Sequence, residues 1–322
     1  MPVDRAALEA ESCWFGVDRV SDTTMTDFKR EARYRQALWR RDRGLAMGSH
    51  KNSSAAVRAG GPVTIANGSR LDPVDADLGQ NFLSEPIWNS VRDRLANPQP
   101  NQTLNPARLR GDLLSSMPMC FNLFGELSDD PGRSSRAAEL LLPSVGGGEV
   151  DVRFEWSPER SSTHYTNDRT AFDVALLVDP GPKSVIGVET KYHEHALPEK
   201  KPGAAQLERH EAQRAMYTRL AEQSGVFRSG WQDSIYDTDL EQIWRDHLLL
   251  LSMLNHPDQW DRGRYVIVFP SRNVSFADAS ARYHELLVDD ETFAALTLEE
   301  LLGAQVLHTA ETRAAFRKRY LW

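Results

Sequence analysis

The stretch from Phe172 to Tyr192 constrains the fold most, because two apolar runs of strand length flank a turn rich in proline and glycine. The first run is VALLV, the second is SVIGV, and the turn DPGP begins at Asp179. Aliphatic and β-branched runs bounded by such turn residues are typical of paired antiparallel strands. The sequence therefore predicts a β-hairpin here.

Charged side chains gather at the open end of this hairpin. Asp173 begins the first strand, and Glu189 and Lys191 end the second. Residues two apart in a strand project to the same face, so Glu189 and Lys191 point together. The antiparallel register that we predict from the turn places Asp173 beside Thr190, within a residue of Glu189. Because unpaired charge is costly to bury, such a cluster in an apolar hairpin indicates a functional site.

A divalent cation is the natural partner for two carboxylates in this position. Carboxylate oxygens suit a hard ion such as Mg²⁺, which binds few protein carboxylates and keeps several waters. Such an ion polarises a phosphoryl oxygen. Lys191 would stabilise the charge that develops in the transition state, or orient the attacking water. The alternative is an edge hairpin whose charges form a solvated salt-bridge cluster.

The composition excludes several other classes of protein. The net charge of −8 argues against a bulk electrostatic grip on nucleic acid, so any such contact must come from local basic patches. Two cysteines indicate neither a disulfide framework nor a zinc cluster. No secretory signal is apparent, and the longest apolar run is too short to span a bilayer. We therefore expect a cytoplasmic protein that does not associate with membranes.

The remaining pattern predicts a mixed α/β sheet flanked by helices. Strands are expected at 150–156, 264–269 and 292–297, beside the hairpin. Helices are expected at 26–43, 82–96, 107–127 with a break at Pro118, 134–142 capped by Ser134 or Ser135, 206–223, 238–254, 276–287 and 310–320. Three sequential strands and then a helical crossover to a fourth build a mixed sheet.

The N-terminal third differs from this core in composition. The predicted helix at 26–43 is the most basic segment, and it either lies along a phosphate backbone or forms a solvated face. Residues 44–79 carry few large apolar side chains, so we expect a long loop that closes over a substrate. We divide the chain into an N-terminal helical and loop extension, 1–106, and a core with C-terminal helices, 107–322.

Asp173 followed by Glu189-Thr190-Lys191 on the next strand resembles the PD-(D/E)XK nuclease signature. Phe172 stands where that signature usually has proline. Glu-x-Lys alone is a weak signal, and the two-strand context strengthens it. The segments CFNLFGEL, FEWSP, FDVAL, GVETKYHE and QIWRDHLLL are similar, in that order, to a group of largely uncharacterised bacterial restriction-endonuclease-like proteins of this superfamily.

The resemblance implies a restriction-endonuclease-like central sheet with a metal site on its first hairpin. It implies metal ligation by Asp173, Glu189 and the backbone carbonyl of Thr190, and catalysis by Lys191. Mg²⁺ is the expected ion, with Mn²⁺ as a substitute, and DNA is the expected substrate. The implied function is that of a metal-dependent endodeoxyribonuclease in bacterial defence or DNA processing. A non-catalytic nucleic-acid-binding or assembly protein stays open, as do an RNA or branched-DNA nuclease, a homodimer and a partner protein.

Three further acidic residues are candidates for the site. Glu155 ends the strand that should pair with the Asp173 strand, and it either joins the site or faces outward with its alternation partners. Glu126 precedes the sheet on a helix, where a solvated role is the alternative. Glu194 follows Lys191 closely and would accept a hydrogen bond near the site or pair with a neighbouring histidine.

The predicted helix at 238–254 offers two polar candidates. Gln242 and Arg245 lie three residues apart and share a face, from which they would reach the scissile phosphate or serve as ordinary polar caps. His247 on the same helix is expected to be a core histidine. His193 and His195 lack a third ligand at suitable spacing, so we expect no zinc site there.

Overall fold

The computed structural model describes residues 3–15, 24–143, 145–256 and 260–322. The strands are β1 (Met47–Lys51), β2 (Thr64–Leu71), β3 (Glu149–Trp156), β4 (Phe172–Asp179), β5 (Ser184–Thr190), β6 (Arg262–Phe269) and β7 (Phe293–Thr297). The helices are α1 (Arg5–Ala10), α2 (Thr24–Asp42), α3 (Ser54–Arg58), α4 (Pro73–Asp77), α5 (Glu85–Ala96), α6 (Pro106–Gly111), α7 (Ser116–Phe124), α8 (Pro131–Leu141), α9 (Leu207–Ser224), α10 (Gln232–Ile235), α11 (Glu241–Leu254), α12 (Val274–Glu285), α13 (Leu298–Gly303) and α14 (Ala310–Tyr320). In the described ranges, no helix combines the length and apolar character needed to cross a bilayer.

Five strands form the central sheet in the order β3-β4-β5-β6-β7. β4 runs antiparallel to both β3 and β5, while β6 is parallel to β5 and β7 is parallel to β6. A parallel neighbour requires a long crossover, and the helices α9 to α11 supply it between β5 and β6. The predicted mixed α/β sheet flanked by helices is confirmed.

The sheet separates two apolar cores, because alternate residues of each strand point to opposite faces. On one face, Val174 and Val188 join a cluster that α5, α7 and α8 complete. On the other face, Ala175 and Val185 join a cluster with α11 and α12. The two central strands β4 and β5 are thus buried on both sides, which explains their almost continuous apolar sequence.

The register of the β4–β5 hairpin differs by one residue from our prediction. Val174 pairs with Val188 and Val178 pairs with Ser184. Continued outward, this register brings Asp173 opposite Glu189 instead of Thr190. Odd-numbered apolar residues such as Ala175 and Val185 face α11 and α12, but Phe172 joins the same cluster, so the alternation is broken at Asp173. The two carboxylates meet at the end of the hairpin, where both line one cavity.

The prediction of a long loop at 44–79 is wrong, because this segment contains β1, α3, β2 and α4. β1 and β2 form an antiparallel pair. The glycines that indicated a loop allow close packing instead. A Cβ atom on Gly48 would lie 2.1 Å from the carbonyl oxygen of Leu71, and one on Gly68 would lie 1.9 Å from that of Glu11.

The predicted helix at 107–127 is interrupted earlier than expected. α6 ends at Gly111 and α7 begins at Ser116, so the break precedes Pro118. Proline is tolerated in the first turn of a helix, where its missing N–H has no partner to lose. α8 likewise begins before Ser134, because the side chain of Asp130 caps it by accepting from the Arg133 N–H.

Much of the basic character of α2 is used inside the protein. Arg33 is buried and donates to the carbonyl oxygen of Cys13 at 2.8 Å. Arg40 is buried as well and donates to the carbonyls of Gly68 at 3.0 Å and Leu45 at 2.8 Å. These guanidinium groups hold the N-terminal segments together, so they are withdrawn from any phosphate contact.

The N-terminal segments also pack on the core. Arg319 of α14 is buried and donates to the side chains of Gln36 at 2.9 Å and Asn81 at 2.6 Å. Gln36 in turn donates to the hydroxyl of Tyr192, which directly follows Lys191. The division into 1–106 and 107–322 stays a prediction.

Candidate active site

Asp173 is fixed by the end of the neighbouring strand. Its Oδ2 accepts hydrogen bonds from the backbone N–H of Thr190 at 2.8 Å and from the Thr190 hydroxyl at 2.7 Å. No donor in the described part of the chain reaches Oδ1, and the side chain lines a cavity. One oxygen is therefore anchored, and the other is available to a ligand.

Glu189 and Lys191, which lie two residues apart at the end of β5, form a buried ion pair. The Lys191 ammonium lies 2.7 Å from Oε1 of Glu189. The Lys191 N–H donates to the Val268 carbonyl at 2.8 Å, which extends the β5–β6 pairing past Thr190. Burial lowers the pKa of Lys191, but Glu189 and then Asp246 outweigh this effect and hold the pKa well above its usual value. Lys191 is therefore a cation at neutral pH.

Burial raises the pKa values of both carboxyl groups. The pKa of Asp173 rises to about 7, first through burial and then through repulsion by Glu189. The pKa of Glu189 also rises to about 7, because burial and the charge of Asp246 outweigh the attraction of Lys191. Two mutually repelling carboxylates with free oxygens are a donor set that a hard divalent cation fits. Among the described residues, no group of three His, Cys, Asp or Glu is positioned to hold a metal.

A cavity of about 660 Å³ lies over these groups. The predicted site residues that line it are Asp173, Glu189, Lys191, Glu155, Gln242, Arg245 and Glu194, and His195 lines it as well. The structure thus gathers side chains from β3, β4, β5 and α11 around one space. Such a polar cavity beside perturbed carboxyl groups is a candidate active site.

Glu155 reaches this cavity because the backbone breaks the strand alternation. Strict alternation would place it outside with Asp151 and Arg153, which form an exposed ion pair at 2.6 Å. Glu155 instead adopts a left-handed conformation, with φ of 47°. The pairing of β3 with β4 skips it, since Phe154 pairs with Val174 and Trp156 with Phe172. A non-glycine residue in this region is strained by about 1–3 kcal/mol, and such strain concentrates at functional sites.

The Glu155 carboxylate is held in place from two sides. Its Oε1 accepts from the Thr103 hydroxyl at 3.1 Å and lies 3.6 Å from a guanidinium nitrogen of Arg160. Arg160 also donates to the Glu155 carbonyl at 2.8 Å. Burial and then the charge of Asp173 raise the pKa of Glu155.

Asp246 is a site residue that sequence reasoning missed. It lines the cavity from α11 and is only 5% exposed. Burial raises its pKa to about 6, while Arg245 and Lys191 lower it. The available signal was its spacing, since Asp246 lies four residues after Gln242 in an apolar helix and shares its face.

Two arginines at the cavity were missed as well. Arg108 lies on α6, and its Nε donates to the Ser115 hydroxyl at 2.8 Å. Arg169 precedes β4 and is exposed. Neither forms an ion pair with a carboxylate among the residues that the structure describes, whereas Arg245 pairs with Glu199. These two cations therefore remain available to a phosphate.

The loop that carries Arg169 is anchored through the preceding residue. Asp168 accepts hydrogen bonds from the Thr166 hydroxyl at 2.7 Å and from the Thr170 hydroxyl at 2.6 Å. The hydroxyl of Tyr217, on α9, donates to the same carboxylate. Arg169 thus projects from a fixed loop.

Two other candidate residues lie in different surroundings. Glu126 is buried away from the cavity and accepts from the Ser84 hydroxyl at 2.9 Å and the Thr309 N–H at 2.7 Å. His247 is a core residue, as expected, with its ring nitrogens 2.9 Å from the Tyr283 hydroxyl and 3.0 Å from that of Thr292. Burial lowers its pKa to about 3.

Glu194 lines the cavity, but its carboxylate already has partners. It accepts from the Tyr192 N–H at 2.6 Å. Although burial raises its pKa, His193 and Lys191 outweigh this effect and lower it to about 2. His193 itself is not part of the cavity lining, and burial lowers its pKa.

The comparison with protein-family models gives a match over most of the chain. A family model described as the PD-(D/E)XK nuclease superfamily matches residues 21–322. The chain belongs to the PD-(D/E)XK nuclease superfamily. Membership confirms the resemblance and the fold class, and it implies a nuclease, that is, a hydrolase, of a superfamily that generally uses divalent metals. No curated protein and no solved structure matches the chain.

Proposed function

We propose that this PD-(D/E)XK protein is a Mg²⁺-dependent endodeoxyribonuclease that acts in bacterial defence or DNA processing in the cytoplasm. The observation that carries the proposal is the convergence of Asp173, Glu189 and Lys191 around one cavity. A buried pair of repelling carboxylates has no structural benefit, because it destabilises the fold unless a cation compensates it. The superfamily supports nucleic acid as the substrate.

Asp173 and Glu189, with the backbone carbonyl of Thr190, would hold the cation. Asp173 offers Oδ1, since Oδ2 is taken by Thr190, and Glu189 offers Oε2, since Oε1 faces Lys191. When bound, the cation supplies Lewis-acid polarisation of the phosphoryl group and charge compensation. Mn²⁺ prefers the same oxygen ligands and would substitute.

The chain's own residues would bind and orient the substrate around this point. Lys191 donates one N–H to Glu189 and keeps two for the oxygens on which negative charge develops. Arg108 and Arg169 would contact neighbouring phosphates of the backbone. Glu155 would act as a further carboxylate of the site.

Gln242 and Arg245 would reach the scissile phosphate from α11. Both line the cavity, three residues apart on one helix face. Arg245 already pairs with Glu199. Its phosphate contact would therefore depend on exchange of this partner, and Gln242 would contribute neutral hydrogen bonds.

Incubation of the purified protein with covalently closed plasmid tests the proposal. We expect nicked or linear DNA with Mg²⁺ or Mn²⁺ and none with EDTA, since a circle offers no end to an exonuclease. Asp173→Asn and Lys191→Ala should abolish cleavage, while Asp151→Asn, at an exposed ion pair on β3, should not. Undiminished cutting by both site variants would remove the assignment.

A substrate panel separates the alternatives. Cleavage of RNA or branched DNA in preference to plasmid would reassign the substrate. Binding without cleavage of any nucleic acid would favour a non-catalytic role. Size-exclusion chromatography with and without DNA would test the homodimer, and co-purification would test a partner protein.

A further inference from the structure

Asp246 differs from the other buried carboxylates in its lack of protein partners. It is only 5% exposed, yet no hydrogen bond or ion pair reaches it from the described residues. The buried Glu126 and the half-buried Asp168, by contrast, each accept several hydrogen bonds. Buried carboxylates without donors are costly and rare. Because Asp246 lines the active-site cavity, its missing partner must enter from that cavity.

The surroundings of Asp246 restrict what this partner is. Lys191 and Arg245 act on its charge, but both point at other carboxylates, Glu189 and Glu199. The Lys191 ammonium thus lies within electrostatic range of both Glu189 and Asp246 and bonds only Glu189. A second cation beside Asp246 would be repelled by this ammonium and also by the cation proposed at Asp173 and Glu189. A water molecule suffers no such repulsion, since it accepts from the ammonium and donates to the carboxylate.

We propose that Asp246 holds the attacking water by hydrogen bonding and accepts its proton during cleavage. This inference rests on the proposed function. The water oxygen forms the new bond to phosphorus while its proton passes to an Asp246 oxygen, and the bond from phosphorus to the leaving deoxyribose oxygen breaks. The leaving oxygen takes a proton from a second water. Lys191 orients the attacking water from its other side, and Asp246 returns its proton to solvent afterwards.

Two substitutions at Asp246 and one matched control test this role. Asp246→Asn keeps the shape and removes the proton acceptor, and Asp246→Ala leaves room for a small carboxylate such as formate. Glu241→Gln is the control, because it makes the same change on α11 at a residue that pairs with Arg214 and does not line the cavity. Single-turnover cleavage in Mg²⁺, DNA affinity in Ca²⁺, and Mn²⁺ stoichiometry are measured for each.

We expect Asp246→Asn to slow single-turnover cleavage by about 100-fold, in the range for loss of a general base. DNA affinity and Mn²⁺ stoichiometry should stay at wild-type values. Formate should partly restore cleavage by Asp246→Ala and should leave the wild type unaffected. Glu241→Gln should cleave at the wild-type rate.

Three results would overturn the inference. Wild-type cleavage by Asp246→Asn would show that no proton passes to this residue. Loss of a Mn²⁺ equivalent would make Asp246 a cation ligand. A slow Asp246→Ala that formate does not rescue would leave Asp246 a positioning residue for Lys191. In each of these cases the proposed function still holds as long as the wild type cleaves DNA. A wild type that cleaves no nucleic acid would overturn both the proposed function and the role of Asp246.

Discussion

Replacing Asp173 by Asn should stabilise the metal-free protein, although it removes a proposed cation ligand. The Asn side chain keeps an oxygen that accepts from the Thr190 N–H and hydroxyl, which now bond Oδ2 of Asp173. It also removes the repulsion between Asp173 and Glu189. The change therefore isolates the cost of a charge that the fold tolerates only for function.

The expected gain in the free energy of unfolding follows from the raised pKa of Asp173. Asp173 has a pKa of about 7 in the folded protein, against about 3.9 in an unfolded chain. At about 1.4 kcal/mol per pKa unit, ionisation of the folded protein costs at most about 4 kcal/mol. Because the side chain lines an open cavity, solvent screening reduces this cost, and we expect a gain of about 2 kcal/mol.

The raised pKa of Asp173 also makes this stability gain depend on pH. Between about pH 4 and 7 the folded protein keeps a proton on Asp173 that the unfolded chain has released. The contribution of Asp173 to the free energy of unfolding therefore falls as the pH rises through this window. The gain from Asp173→Asn should be complete at pH 8 and small near pH 4.

Urea unfolding in EDTA at both pH values measures this difference. Asp151→Asn is the control, since Asp151 is exposed and its loss should give no gain at pH 8. A variant less stable than the wild type at pH 8 would refute the reasoning. So would a gain of equal size at both pH values, because it would owe nothing to ionisation.

Three further substitutions separate binding, catalysis and stability. Arg169→Ala should weaken DNA binding and reduce the magnitude of the slope of log binding constant against log salt concentration by about 1. The control is Arg317→Ala, which removes an exposed charge outside the cavity. It should leave this slope unchanged if DNA binds at the cavity. Glu155→Gln should slow cleavage about 10–100-fold without loss of DNA affinity, and an unchanged rate would make the strained backbone at 155 purely structural. Glu126→Gln should lower the free energy of unfolding by about 1–3 kcal/mol in urea titrations, because the Thr309 N–H loses a charged acceptor, and it should keep the cleavage rate. A lost rate in the folded protein would contradict the position of Glu126 outside the active site.

The hairpin and its carboxylates could be predicted because their signals are local. Apolar runs around DPGP define β4 and β5, and charged residues at the strand ends stand out against them. The strand predicted at 264–269 is the C-terminal part of β6, and the helix at 238–254 is close to α11. For each of these elements, the local pattern of apolar and turn residues is enough to predict its conformation.

The rest depended on contacts between distant segments. β1 and β2 contain little apolar sequence that would mark them as strands. Their glycines instead let the backbone approach the carbonyls of Leu71 and Glu11 closely, and no local pattern shows such contacts. The inward turn of Glu155 arises from a left-handed residue that no alternation rule anticipates. Asp246 resembles an ordinary polar residue of an amphipathic helix until the packing of α11 on the sheet places it in the cavity.

The charges of α2 and the cavity arginines show the same limit. The basic segment suggested a phosphate contact, yet Arg33 and Arg40 bond buried carbonyls. Arg108 and Arg169 lie in segments of unremarkable charge, and the fold brings them to the same cavity. Composition identified where basic residues are dense, and only tertiary structure distinguishes the arginines that bond buried carbonyls from those that line the cavity.

A Mn²⁺-soaked crystal tests the central claim most directly. The anomalous difference map should show a peak bonded to the carboxylates of Asp173 and Glu189, and the peak should disappear in Asp173→Asn crystals soaked in the same way. A map without a peak at these carboxylates, or with Mn²⁺ bound only elsewhere in the chain, would contradict the account.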